Sequence, residues 1–146
     1  MSASADEIRD LMFEYCWLLD RGEIDAVGEL MEHATVYGEG GLVLHGKDEI
    51  AGMFRDRAIM YDGIPRSKHL CTNVILDIDE DAGRATARSV YVAQQEAPGF
   101  PLQAYIAGRY RDTFERVDGA WRFAERVYIV DLLGDMSAHH RPADSG

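Results

Sequence analysis

The stretch LQAYIAGRYRDTFERVDGAWRFAERVYIVDL, residues 102–132, decides the fold. Asp118-Gly119 divides it into two long runs rich in β-branched and aromatic residues. Asp-Gly between such runs signals a hairpin, because the tight turn that matches strand twist needs positive φ at both central positions. Moving back along the chain, Ala97-Pro98-Gly99 and Asp79-Glu80-Asp81-Ala82-Gly83 are further turn signals. Together they predict four long strands, 69–78, 84–95, 102–117 and 121–132, joined as an antiparallel meander.

Before Gly63-Ile64-Pro65 the period changes. Ile8, Leu11, Met12, Tyr15 and Leu19 recur at helical spacing. Asp6 and Glu7 suit the start of that helix, and Arg21-Gly22 ends it. Ile24, Val27, Leu30 and Met31 fit a second, short helix. Residues 34–37 and 42–45 read as short strands around a Gly38-Glu39-Gly40-Gly41 turn. Gly46-Lys47-Asp48-Glu49 opens a third helix, with Ile50, Met53, Phe54 and Ala58 inside. The fold class is α+β: one domain over residues 1–146, with three N-terminal helices packed in a strongly curved mixed or antiparallel sheet. Such a cone encloses a cavity. Its ordered core is expected over residues 6–133. Residues 1–5 should fray, and the polar tail 134–146, which holds Pro142, should be loose.

With 146 residues the chain is long enough for a self-sufficient core, and 47% of it is apolar. A formal charge of −11 argues against nucleic acid or an anionic membrane as partner. Cys16 and Cys71 read as buried free thiols of a reducing cytoplasm. Neither a signal peptide nor a membrane span is expected. A wide curved sheet leaves a face to cover, so a homodimer or homotrimer is expected.

The candidate chemistry centres on His69, at the start of the first long strand, and Asp20, at the end of the first helix. Brought together in an apolar cavity they form an imidazole base oriented by a carboxylate. Tyr15 and Tyr37 are candidate donors to a developing enolate or leaving oxygen. Arg88, if it faces inward with Val90 and Val92, could clamp an anion; Tyr110 and Phe54 are the other candidate substrate contacts. Blander readings stand beside these: a solvent-facing His69, an Asp20 that caps the next helix, and a Tyr15 that only packs the core. Arg109 and Arg111 fit an outer face. His139-His140 lacks a third partner for a metal. No phosphate loop, CxxC, HExxH or GxSxG element occurs.

The segments Tyr15–Asp25, Gly46–Ile50, His69–Asn73, Gly108–Asp112 and Asp118–Phe123, in this order, resemble the SnoaL-like branch of the nuclear transport factor 2-like superfamily. The sharper resemblance is to its lyases: scytalone dehydratase, bile-acid 7α-dehydratase and hexachlorocyclohexane dehydrochlorinase. These use a histidine on the first long strand and an aspartate at the end of the first helix, positions that His69 and Asp20 match. Tyr15 matches a tyrosine of the bile-acid enzyme, and Tyr37 one of scytalone dehydratase. The second active-site histidine of scytalone dehydratase has no counterpart in segment 88–95. The resemblance implies a lyase or isomerase that needs no cofactor and acts on a small, largely apolar, cyclic, polyketide- or steroid-like molecule. The same cone also serves as a non-catalytic ligand-binding or dioxygenase-subunit module, and as a cyclase or hydrolase. An open cavity lined by Asp20 and His69 separates a site from a filled cone. For the hydrolase alternative, Asp112 is the one tempting second carboxylate.

Overall fold

A computed structural model describes residues 2–141. Helix α1 (Ala3–Asp20) is followed by α2 (Ile24–Leu30), β1 (Thr35–Tyr37) and β2 (Val43–His45). Helix α3 (Gly46–Arg57) leads into the long strands β3 (Ser67–Asp79), β4 (Arg84–Ala97), β5 (Phe100–Val117) and β6 (Ala120–Leu133). The α+β expectation holds: three helices pack on one mixed sheet of order β2-β1-β6-β5-β4-β3. Among the described residues the β1–β6 pairing alone is parallel. Asp118 and Gly119 both take positive φ, as the hairpin required.

Hydrogen bonds extend past both limits of the expected core, to Ser2 and to Arg141. Ser2 caps α1, its Oγ accepting the Ala5 N–H at 3.1 Å, so the helix starts at Ala3 instead of fraying to residue 5. Ser4 Oγ then accepts the Trp121 indole N–H at 3.0 Å, which pins the first turn to β6. At the other end the expected loose tail is tied down as far as Arg141. Ile59 N–H donates to His139 O at 2.9 Å, and Arg141 N–H to Arg57 O at 2.8 Å. Pro142 lies outside the described residues.

Bulges give the sheet its curvature. The β3–β4 register shifts between Thr72 and Ile75, beside Asn73 at φ 53°. On β6 the partners jump from Glu125 to Phe123, leaving Ala124 unpaired. Trp121 and Phe123 face inward before that bulge, and Arg126, Tyr128 and Val130 line the cavity after it. Gly108 marks where side chain and backbone meet most closely. A Cβ there would stand 1.9 Å from Ile129 O and 2.6 Å from the Tyr91 hydroxyl. Tyr91 uses that gap to donate to Ile129 O at 3.1 Å. Gly108→Ala should therefore cost at least about 1–3 kcal/mol, through overpacking and loss of this bond. Urea unfolding reads it, and an unchanged midpoint would contradict the close approach.

Candidate active site

Helix α1 ends in a Schellman arrangement. Glu23 N–H donates to Leu18 O and Gly22 N–H to Leu19 O, both at 3.0 Å, with Gly22 at φ 73°. This fixes Asp20 as the last helical residue. A carboxylate is disfavoured at a helix C-terminus, where the dipole is negative. Asp20 is held there by donors from β3. His69 N–H reaches its Oδ2 at 2.9 Å, Ser67 Oγ reaches Oδ1 at 3.2 Å, and His69 Nδ1 lies 2.6 Å from Oδ1. Since the carboxylate only accepts, Nδ1 carries a proton, and in the neutral imidazole the lone pair lies on Nε2. The two side chains are only 10% and 11% exposed.

His69 lines a cavity of about 600 Å³ enclosed by α1, α3 and the curved sheet. Its walls include Leu19, Ile50, Met53, Phe54, Ile106 and Val130, with the phenols of Tyr15, Tyr105, Tyr110 and Tyr128. That size and an apolar wall with a few polar groups suit a small organic ligand. Burial holds Tyr15, Tyr105, Tyr110 and Tyr128 well above the ordinary phenol range, so each hydroxyl stays protonated and able to donate. Among the described residues no three His, Cys, Asp or Glu side chains converge to hold a metal ion.

Several expected residues meet here and others do not. Asp20 and His69 are bonded, and Tyr15, Tyr110 and Phe54 line the cavity. Tyr37 does not. On the three-residue β1 its neighbours Val36 and Gly38 face the cavity, and Tyr37 is 38% exposed. Arg88 is also outside, because the buried face of β4 carries Ala87, Ser89, Tyr91, Ala93 and Gln95. Strand alternation places Arg88, Val90 and Val92 on the outer face instead. Arg109, too, points out, paired with Asp131 at 2.8 Å.

Arg126 was not anticipated from the sequence. It is 1% exposed and forms a two-pronged pair with Asp112, at 2.7 and 2.9 Å. Its guanidinium sits 3.7 Å from the Tyr110 ring centre and 4.5 Å from that of Tyr15. Burial opposes its charge, but the Asp112 carboxylate and its hydrogen bonds more than offset this and keep Arg126 protonated. Burial pushes the Asp112 carboxyl up, against the pull of Arg126. The carboxylate that tempted a hydrolase reading is thus committed to an ion pair.

The C-terminal segment supplies another unanticipated group. His139 lines the cavity, its ring 6.3 Å from that of His69. Burial, then His140 and His69, depress its pKa to about 3. A chain with this segment undocked binds a proton on that histidine near pH 6.5. The docked chain resists until about pH 3. Docking therefore weakens as pH falls through this window, by up to about 1.4 kcal/mol per unit. Acidification from pH 7 to 4 should lower the protection factors of the Ile59 and Arg141 amides, exchange rates being taken relative to a free peptide at each pH, while the β4–β5 core keeps its protection. Equal protection at both pH values would refute this.

The sequence profile of the SnoaL-like domain matches residues 1–127. The chain belongs to the SnoaL-like family. Among curated proteins none matches. Solved structures share the fold of this SnoaL-like chain. One is an NTF2-like protein with a cystatin-like fold from Novosphingobium aromaticivorans, at 23% identity and TM-score 0.70, over 84% of this chain and 79% of that one. A protein from the same organism, provisionally named scytalone dehydratase, matches at 24% identity and TM-score 0.64, over 92% and 93%. LinA matches at 18% identity and TM-score 0.73, over 97% and 95%. The SnoaL-like resemblance and the curved α+β fold expected from the sequence both hold.

Proposed function

We propose that this SnoaL-like protein is an acid–base lyase or isomerase that needs no cofactor. Its substrate would be a small, largely apolar cyclic molecule. The observation that carries this reading is the 2.6 Å bond between His69 Nδ1 and Asp20 beside a cavity of about 600 Å³. His69 Nε2 takes a proton from a carbon next to a carbonyl, or from one beside a carbon bearing a leaving group. Asp20 stabilises the imidazolium as it forms. The Tyr15 hydroxyl, kept protonated by burial, donates to the enolate or the departing group. Arg126 stacks on the Tyr15 ring and adds positive charge to that wall. The likeness to a protein named scytalone dehydratase supports the same class.

Purified protein, incubated with cyclic β-hydroxyketones and Δ5-3-ketosteroids, tests this by ultraviolet detection of new conjugated enones. Asp20→Asn should lower turnover by about 10²–10⁴-fold, because the amide can also accept from Nδ1–H but cannot stabilise the imidazolium as a carboxylate does. Turnover at the parent rate would remove Asp20 from the mechanism.

We also infer that the chain works as a homo-oligomer. Leu70 and Val92 are cross-strand partners on the outer sheet face, with Val90 two residues along β4, and Leu70 is 46% exposed.

A further inference from the structure

We propose that the cavity takes a carboxylic acid, with an apolar cyclic body inside and its carboxylate held at the mouth by Arg57, His140 standing beside it. The inference rests on the reading of the cavity as a substrate site and adds a charged group to the substrate class. Arg57 is the last residue of α3. It lines the cavity and is also exposed, so it stands where the cavity meets solvent. His140 lines the cavity too, and the backbone seats it next to Arg57. Arg141 N–H donates to Arg57 O at 2.8 Å, and Ala58 and His140 form a single β-bridge. The His139 ring lies 6.3 Å from that of His69 and 4.5 Å from that of His140. The three imidazoles therefore run in steps from the Asp20 pair toward Arg57. A ring beside His69 with a carboxylate on a short side chain would span them.

Charge decides where the acid sits. Among the described residues two arginines line the cavity, Arg57 and Arg126. Arg126 is committed to Asp112, at 2.7 and 2.9 Å. Its Nη1 has no partner, but a second carboxylate there would be buried close to the first. Like charges so placed, with little water between them, repel strongly. Arg57 forms no ion pair among the described residues, whereas Arg55, two residues earlier, pairs with Asp25. At the mouth a carboxylate keeps part of its hydration and avoids the full cost of burial. The planar guanidinium fork can take both its oxygens at once.

The neighbours of Arg57 fit this role. Burial, then Arg57 itself, lower the His140 pKa, so the ring is neutral and offers an N–H donor without a charge. Glu39, an exposed carboxylate that also lines the cavity, has one oxygen engaged, accepting Val130 N–H at 3.0 Å. A plainer role for Arg57 is to complement the dipole at the end of α3, where a cation is favoured. That role gives no discrimination between a charged and a neutral ligand, and the two are separable by binding.

Competition binding to the full chain tests this without turnover. N-phenyl-1-naphthylamine, neutral and fluorescent in apolar surroundings, serves as reporter. The competitors are 2-naphthylacetate and its neutral amide, at neutral pH. They share one ring system and differ in charge. Arg57→Gln should lower the ratio of acid to amide affinity by about tenfold, the worth of one charge-assisted hydrogen bond. Arg57→Lys, which keeps the charge, should retain most of that ratio. The bond from Arg141 uses the Arg57 main-chain oxygen, so both variants keep the C-terminal segment docked. An unchanged ratio in Arg57→Gln overturns the proposal, whether the acid then sits at Arg126 or both affinities fall together. Failure of both competitors to displace the reporter from the parent also overturns it. The lyase reading fails separately, by absence of turnover in a protein that shows the Arg57-dependent preference for the acid.

Discussion

His69→Ala is expected to lower turnover by about 10²–10⁴-fold while the protein stays folded. On the proposed mechanism the loss follows from removing the group that takes the proton. The survival of the fold follows from what remains around Asp20. The main-chain N–H of residue 69 still donates to Oδ2 at 2.9 Å, and Ser67 still donates to Oδ1 at 3.2 Å. The carboxylate keeps two partners, so the substitution leaves no buried charge stranded. Thermal unfolding alongside the enone assay separates the two effects. A variant that turns over at the parent rate would end the base assignment, whatever its stability.

Arg126→Met should be the most destabilising single change, at about 3–5 kcal/mol. That is a large part of the roughly 5–15 kcal/mol that holds a typical domain together. The side chain is about the right size and apolar, so little packing is lost. What is lost is the partner of Asp112, a carboxylate 2% exposed that already resists ionisation through burial. The guanidinium's stacking on Tyr110 and Tyr15 goes with it. Asp112→Leu combined with Arg126→Met should recover most of the stability, since replacing a whole buried pair is far cheaper than breaking one. Chemical denaturation of the two variants measures this. A single variant within about 1 kcal/mol of the parent would mean that Asp112 had simply taken up a proton.

The strand and turn pattern was legible because each junction carries residues with a stereochemical job, such as Asp118-Gly119. The pairing of Asp20 with His69 came from the SnoaL-like resemblance together with the positions of the two residues at element ends. What escaped was phase. Simple alternation from Trp121 and Phe123 would turn Glu125 inward and Arg126 outward. The unpaired Ala124 adds one residue and reverses this, and nothing in the sequence announces a bulge there. Arg88 was misplaced for a related reason. Val90 and Val92 look like core residues, yet the buried face of β4 is built from Ala87, Ser89, Tyr91 and Ala93. Tyr37 sits on a strand too short for alternation to show. The segment around His139 is polar and lacks periodicity, and only its hydrogen bonds to Arg57, Ile59, Tyr61 and Gln95 reveal that it is docked.

The cap at Ser2 and the Gly22 turn fix both ends of α1, so the number of residues between them is itself a functional quantity. Each residue of helix turns the next by about 100° and advances it about 1.5 Å. One residue inserted on the face away from the core would leave the cap and the turn untouched. It would swing Asp20 a quarter-turn off its bearing on β3, like a key cut one notch too long. A residue added to or removed from α1 should therefore break the Asp20–His69 bond, whereas a substitution on its solvent side leaves Asp20 on its bearing.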